Sequence, residues 1–271
     1  GQDGPYADKP GYASVCEGIG GLRYVNGFPG ERPVRPNLSL GDTVAGLHAA
    51  LGIALALLER HSSQQGQVVD VALFESVFNL LEAVIPEFDG AGEIRQPAGS
   101  TVTGIVPTNT YRCADGKYVI IGGNGDSIFK RLMTTAERPD LAEDPRLAKN
   151  PGRVENEAEI DGAIEAWCAT LPSPEVLAKL EANRVPCGPI YSAADMMADP
   201  HFQARGLFQQ VEINGAPLKI PAIMPRLGGT PGGTRWPGGD AGGDTESVAR
   251  GELGLSEEEF QRLKAQGVFG A

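Results

Sequence analysis

Cysteine, histidine, aromatic and basic residues are all scarce in this chain, and each shortage closes off a class of function. Among 271 residues there are four cysteines and three histidines. Cys16, Cys113, Cys168 and Cys187 show no CxxC or Cys/His ligand spacing. That argues against a metal site and a disulfide scaffold, and for reduced thiols in a cytoplasmic protein. Lysine and arginine number 23 against 35 acidic residues, a formal charge of −12, which sets aside nucleic acid and anionic membranes as partners. The acidity is uneven: residues 1–60 carry five basic against six acidic side chains, so this part is nearly neutral. No leader peptide is visible, and the opening Gly1-Gln-Asp-Gly-Pro-Tyr6 reads as the middle of a domain.

Glycine and proline are abundant, at 37 and 21, and follow no period. They are too many for a helical bundle and predict an α/β protein with many loops. The stretch that organises the chain begins at Leu38. From Val44 to Leu58 its only polar side chain is His48, so the run predicts a helix that is apolar all round and covered on every side. At roughly 20 residues needed for a bilayer, the apolar run is too short to span one. His48 reads as a core histidine. Asp42, on the first turn of this helix, has two readings. It is an N-cap, accepting from otherwise unpaired N–H groups, or a carboxylate held in place by the helix start for attack on an acyl carbon.

Along the chain, residues 12–20 predict a small-residue helix, followed by Gly/Pro turns. Residues 66–72 read as a short buried strand, and 73–84 as a helix. A hairpin is predicted through Asp115-Gly116 and another through Asn214-Gly215. Helices are expected near 127–136, 155–169, 173–182 and 193–198. Residues 227–244 are a Gly/Pro tether, and a last helix starts at Ser256 with Glu259 three residues on. Gly122, Gly123 and Gly125 lie between a predicted strand and a helix, where backbone N–H groups can face an anion. Arg32 and Arg35 read as solvated loop charges or, turned inward, as partners for a second substrate carboxylate.

Six pieces resemble, in order, the class III CoA-transferase family, which contains formyl-CoA transferase and the carnitine and bile-acid CoA-transferases. They are Gly1-Gln-Asp-Gly-Pro-Tyr6 with Pro10-Gly-Tyr12; Gly41-Asp42 opening the apolar helix; Gly66-Gln-Val-Val-Asp70; Asp115-Gly-Lys-Tyr-Val119; Val185-Pro-Cys-Gly-Pro189; and Asp199-Pro-His201 with Ala204-Arg-Gly206. The resemblance implies a Rossmann-like large domain, here without its N-terminal half, plus a smaller α+β domain, in an interlocked homodimer. It places large-domain residues at 1–90, the small domain at 91–205 and a segment returning to the large domain at 206–271.

The same resemblance implies that Asp42 is the nucleophile, and that coenzyme A passes from an acyl-CoA donor to a small carboxylic acid with no tightly bound cofactor. Tyr12 and the Gly122, Gly123 and Gly125 loop are then expected to face coenzyme A, and Arg32, Arg35 and Gly99 the substrate acid. The chain departs from the family pattern at Ala13, where relatives carry an acid, and at Ala98-Gly-Ser-Thr101, where formyl-CoA transferase has a poly-glycine lid. Related α-methylacyl-CoA racemases place a histidine at position 12. Tyrosine there, with an unperturbed pKa of about 10, disfavours the alternative of racemisation. A catalytically incomplete subunit is the remaining alternative.

Overall fold

Glycine and proline cut the first forty residues into short pieces. A computed structural model describes residues 1–269. Ala13–Ile19 (α1) and Leu22–Val25 (α2) are separated by Gly20 and by Gly21 at φ +86°. Residues 26–39, with Pro29, Pro33 and Pro36, form neither helix nor strand. Alanine and leucine then sustain one long helix, Leu40–Ser63 (α3), followed by Leu73–Phe78 (α4) and Val84–Ala91 (α5). Helices α1, α3 and α4 touch one another. Their junction buries Ala13, Glu17, Gly41, Val44, Ala45 and Val77.

Helix α3 is not the all-round core helix that its composition predicts. Gly41, Val44 and Ala45 are its only buried residues. Leu47, Leu51, Leu55 and Leu58, three or four residues apart and so on one face, are 57–67% exposed. Composition says that such a face needs cover, and among the described residues none supplies it. The helix also extends through polar residues to Ser63, so among the described residues it is the one helix long and apolar enough to cross a membrane.

Two further expectations fail beside it. Residues 66–72 form no strand, and Val68 is almost fully exposed, because a β-prone run without a partner strand has nowhere to place its hydrogen bonds. The helix expected over 73–84 is broken after Phe78, with Glu82 at φ +48° before α5 begins.

The next stretch builds its own core. Thr108–Arg112 (β1) and Tyr118–Gly122 (β2) pair antiparallel across the Asp115-Gly116 turn, and Cys187–Pro189 (β3) pairs antiparallel with β2. Around this sheet lie Asp126–Thr135 (α6), Pro139–Ala142 (α7), Asn150–Glu155 (α8), Glu157–Cys168 (α9) and Ser173–Ala182 (α10). Alternate residues of the strands, Tyr111, Val119 and Ile121, are fully buried against Phe129, Leu132, Ile160, Ile164, Val176 and Leu180.

Two polar residues tie this core to the loops. Arg153, fully buried, donates to the carbonyls of Val106, Leu147 and Asn124 and to Asp126 Oδ1 at 2.7–3.1 Å. Asp115 accepts from the backbone N–H and hydroxyl of Ser173, which fixes the start of α10 on the hairpin turn.

Two compact units divide at Ile190/Tyr191. The second unit holds Ala193–Ala198 (α11), Pro200–Ala204 (α12) and a two-stranded sheet of Phe208–Ile213 (β4) and Ala216–Pro221 (β5), turned at Asn214 (φ +51°) and Gly215 (φ +75°). Residues 222–244 carry no helix or strand; Thr245–Ser247 (α13) and Glu257–Ala265 (α14) follow. Ser256 Oγ accepts from Glu259 N–H at the head of α14, as the spacing predicts. Both sheets among the described residues are antiparallel, so helices and strands are mixed but no Rossmann-like parallel sheet is seen here.

Candidate active site

The N-cap of α3 is Ser39, and its side chain makes no capping bond. Asp42 is therefore the third residue of the helix and not its cap, which removes the structural reading of its carboxylate. Asp42 is exposed and makes no side-chain hydrogen bond or ion pair among the described residues. It stands in the first turn of a 24-residue helix, where the unpaired N–H groups and the helix dipole favour negative charge. An unpaired carboxylate on a rigid element can attack an electrophilic carbon.

Backbone placement does the holding. The ideal Cβ of Gly41 would lie 3.3 Å from Ala13 Cβ, 3.5 Å from Val77 Cγ2 and 3.6 Å from Glu17 Cγ. Glycine here lets the first turn of α3 sit directly on α1 and α4. Arg35 Nη2 donates to the Leu38 carbonyl at 3.1 Å, just ahead of the helix.

The other expected site residues fall into separate places. Tyr12 is the N-cap of α1, and its ring is 84% exposed. Arg32 is exposed, with no side-chain hydrogen bond or ion pair among the described residues. Arg35 instead pairs with the buried Glu17 at 3.3 Å. Gly99, at φ +68°, donates its N–H to the Gly27 carbonyl and lies under the Phe28 ring, so the 98–101 loop is anchored to the loops preceding α3.

The glycines after β2 belong to the small core. Gly122 and Gly123 donate their N–H groups to the carbonyls of Pro186 and Pro107, and the Asn124 carbonyl accepts from Arg153. A Cβ at Gly123 would collide with Leu132. These two amides are thus engaged within the protein and do not point to an anion, while Gly125 serves as the N-cap of α6. Close packing thus requires glycine at position 123, whereas a Cβ at Gly122 would meet only Pro186 Cβ, at 3.9 Å.

The thiols of this core are poor nucleophiles. Burial pushes the Cys168 thiol up to about 12 and raises Cys113 and Cys187 as well, which leaves them protonated and inert. Among the described residues no cluster of histidine, cysteine or acidic side chains could hold a metal ion. Glu17 is the residue that the sequence reading missed. Its only sequence signal is a single charge inside the small-residue run Ala13–Ile19.

Known proteins resemble the chain along nearly its whole length. The profile of CoA-transferase family III matches residues 1–245. The chain is 40% identical over 270 residues to a succinyl-CoA–D-citramalate CoA-transferase of Chloroflexus aurantiacus, covering 99% of this chain and 67% of the relative. It is 36% identical to a succinyl-CoA–L-malate CoA-transferase alpha subunit of Chloroflexus aurantiacus, covering 99% of this chain and 63% of the relative. A crystal structure of a CaiB/BaiF family protein from Brucella suis superimposes with a TM-score of 0.74 at 30% identity, over 93% of this chain and 65% of that one. The chain thus spans about two thirds of the length of these relatives.

Proposed function

This chain belongs to CoA-transferase family III, and from that premise we propose that it carries the nucleophile of an enzyme moving coenzyme A from an acyl-CoA to a small carboxylic acid. The observation that carries the reading is Asp42: an exposed, unpaired carboxylate in the first turn of the long helix, seated by Gly41 on α1 and α4.

In the proposed sequence, an Asp42 oxygen attacks the thioester carbonyl of the donor and expels the CoA thiolate, leaving a mixed anhydride. The thiolate attacks the Asp42 carbonyl of that anhydride and releases the donor acid as its carboxylate. Asp42 is now a thioester of coenzyme A. The acceptor carboxylate attacks the same carbon, expelling the thiolate again, and the thiolate then takes the acceptor acyl group and frees Asp42. Every step exchanges one oxygen or sulfur for another at an acyl carbon, and no proton or electron is left over. A carboxylate suits both halves because its anhydride and its thioester are comparably reactive, whereas a serine ester would be a sink.

The relatives named above use succinyl-CoA with citramalate or malate. We take succinyl-CoA as the donor and a small dicarboxylic acid as the acceptor, with Arg32, whose side chain has no partner among the described residues, as the group that meets the second carboxylate. Tyr12 is taken as a contact for coenzyme A and Gly99 as one for the acid. The exposed leucine face of α3 is covered in the working protein by an interlocked second copy and a Rossmann-like large domain, in the cytoplasm. Incubating the full-length protein with succinyl-CoA and a panel of dicarboxylic acids, with new thioesters followed by mass spectrometry, tests the reading. CoA exchange that disappears in Asp42→Asn supports it, and exchange undiminished in that variant refutes it.

A further inference from the structure

The Glu17 carboxylate has no exposed surface, and fully buried glutamate is rare unless it is paired. Its partners are two arginines. Arg23 Nε and Nη2 each approach Oε2 at 3.4 Å, and Arg35 Nη2 donates to Oε1 at 3.3 Å. Arg23 Nη2 also donates to Ser14 Oγ at 2.8 Å, which fixes it to α1. Buried ion pairs are poor sources of stability, since apolar replacements of similar shape are often neutral or better. The value of this triad must therefore lie in what it holds.

It holds the start of α3 at two points. The stem of Glu17 lies against Gly41, and its carboxylate fixes the guanidinium whose other bond grips the Leu38 carbonyl. Ser39 makes no capping bond of its own, so the entry to α3 depends on this grip. Asp42 is the next residue after Gly41, and its side chain has no hydrogen bond to orient it. Its aim is set by the backbone alone. A reacting carboxylate misplaced by about 1 Å loses about a hundredfold in rate.

We propose that Glu17 is a positioning residue for Asp42: through Arg35 and Gly41 it fixes the first turn of α3 at the angle from which the Asp42 carboxylate meets the acyl carbon. The proposal rests on the reading that Asp42 is the nucleophile. It also assigns Arg35 to the protein's own frame and leaves Arg32 as the substrate-facing arginine.

The test uses full-length protein as wild type, Glu17→Gln, Glu17→Met, Arg35→Met and Arg35→Lys. Three readouts are thermal unfolding, kcat and KM for acyl-CoA, and hydroxylamine-trapped hydroxamate on the Asp42 peptide. Glu17→Gln and Glu17→Met keep the shape but lose the ion pair. Both, with Arg35→Met, are expected to lower kcat and the rate of hydroxamate formation together by about a hundredfold while KM moves by less than about threefold. Lysine offers three donors on one nitrogen, enough for both Glu17 and the Leu38 carbonyl, so Arg35→Lys should recover most of the rate.

The Arg35 variants leave Glu17 its Arg23 partner, so they keep the proposal falsifiable if the Glu17 variants fail to fold. Variants that fold and keep kcat within about threefold of wild type, or that lose activity through KM alone, overturn the proposal. Hydroxamate missing from the wild-type Asp42 peptide, with exchange intact, overturns the nucleophile reading itself and is distinguished by needing no variant at all.

Discussion

The two halves of the first compact unit handle apolar surface in opposite ways. Residues 106–187 close a core in which Tyr111, Ile121, Leu132, Ile160 and Leu180 are wholly buried and even an arginine is fully enclosed with its bonds satisfied. Residues 40–63, by contrast, leave a leucine face open along most of a 24-residue helix. The small core closes on itself, whereas the helix that carries Asp42 leaves its leucine face open among the described residues. Under the proposed function, the nucleophile and the face that a partner covers share one helix.

This contrast can be broken from either side. The largest effect is expected on the open face. Leu51→Glu with Leu55→Glu places two charges where the partner surface must sit, and burying an unpaired charge is prohibitive. Light scattering of the full-length double variant should show the dimer dissociating at concentrations at least about a hundredfold above those for wild type. A dimer of unchanged affinity would show that this face is not an interface.

The closed half should answer to Arg153. Arg153→Met removes a fully buried guanidinium that satisfies three carbonyls and Asp126, and chemical denaturation should report a loss of about 3 kcal/mol. The same substitution should leave the assembly of α3 intact.

The smallest effect is set by pH. Lys149 and Arg153 beside Asp126, and the Ser173 hydroxyl on Asp115, hold both carboxyls below the ordinary aspartate range. A carboxyl with a depressed folded pKa contributes stability above its unfolded value, about 3.9, and loses it as pH falls through the folded value. The melting temperature of wild type should therefore fall as pH drops below about 4, and less steeply in Asp126→Asn. Equal slopes would detach these two groups from acid stability.

Much of the local structure was legible in the sequence. The Asp115-Gly116 and Asn214-Gly215 turns, the Ser256 cap and the helices at 126–135, 157–168, 173–182 and 193–198 follow from turn chemistry and helical spacing, which need only neighbours in the chain. The burial of α3 was misread because an apolar run states a need for cover without naming its source. Residues 66–72 carry β-prone valines, but a strand is defined by a partner, and none pairs with them. The position of Asp42 at a helix start was readable; that the N-cap position falls on Ser39 rather than Asp42 was not, since both residues qualify by type. Glu17 and Arg153 went unseen because a buried ion pair depends on contacts across 18 and 27 residues of chain.

Trapping of the acylated carboxylate tests the central claim most directly. Full-length enzyme incubated with acyl-CoA, treated with hydroxylamine and digested should carry a hydroxamate on the peptide containing Asp42, because hydroxylamine attacks an anhydride or thioester and spares a free carboxylate. Asp42→Asn should fold with a melting temperature close to wild type, since the Asp42 side chain makes no hydrogen bond or ion pair among the described residues, and should lose both hydroxamate and transfer, the latter by at least about a thousandfold. A folded Asp42→Asn enzyme with wild-type turnover, or a hydroxamate found on another acidic residue and never on Asp42, would contradict the account.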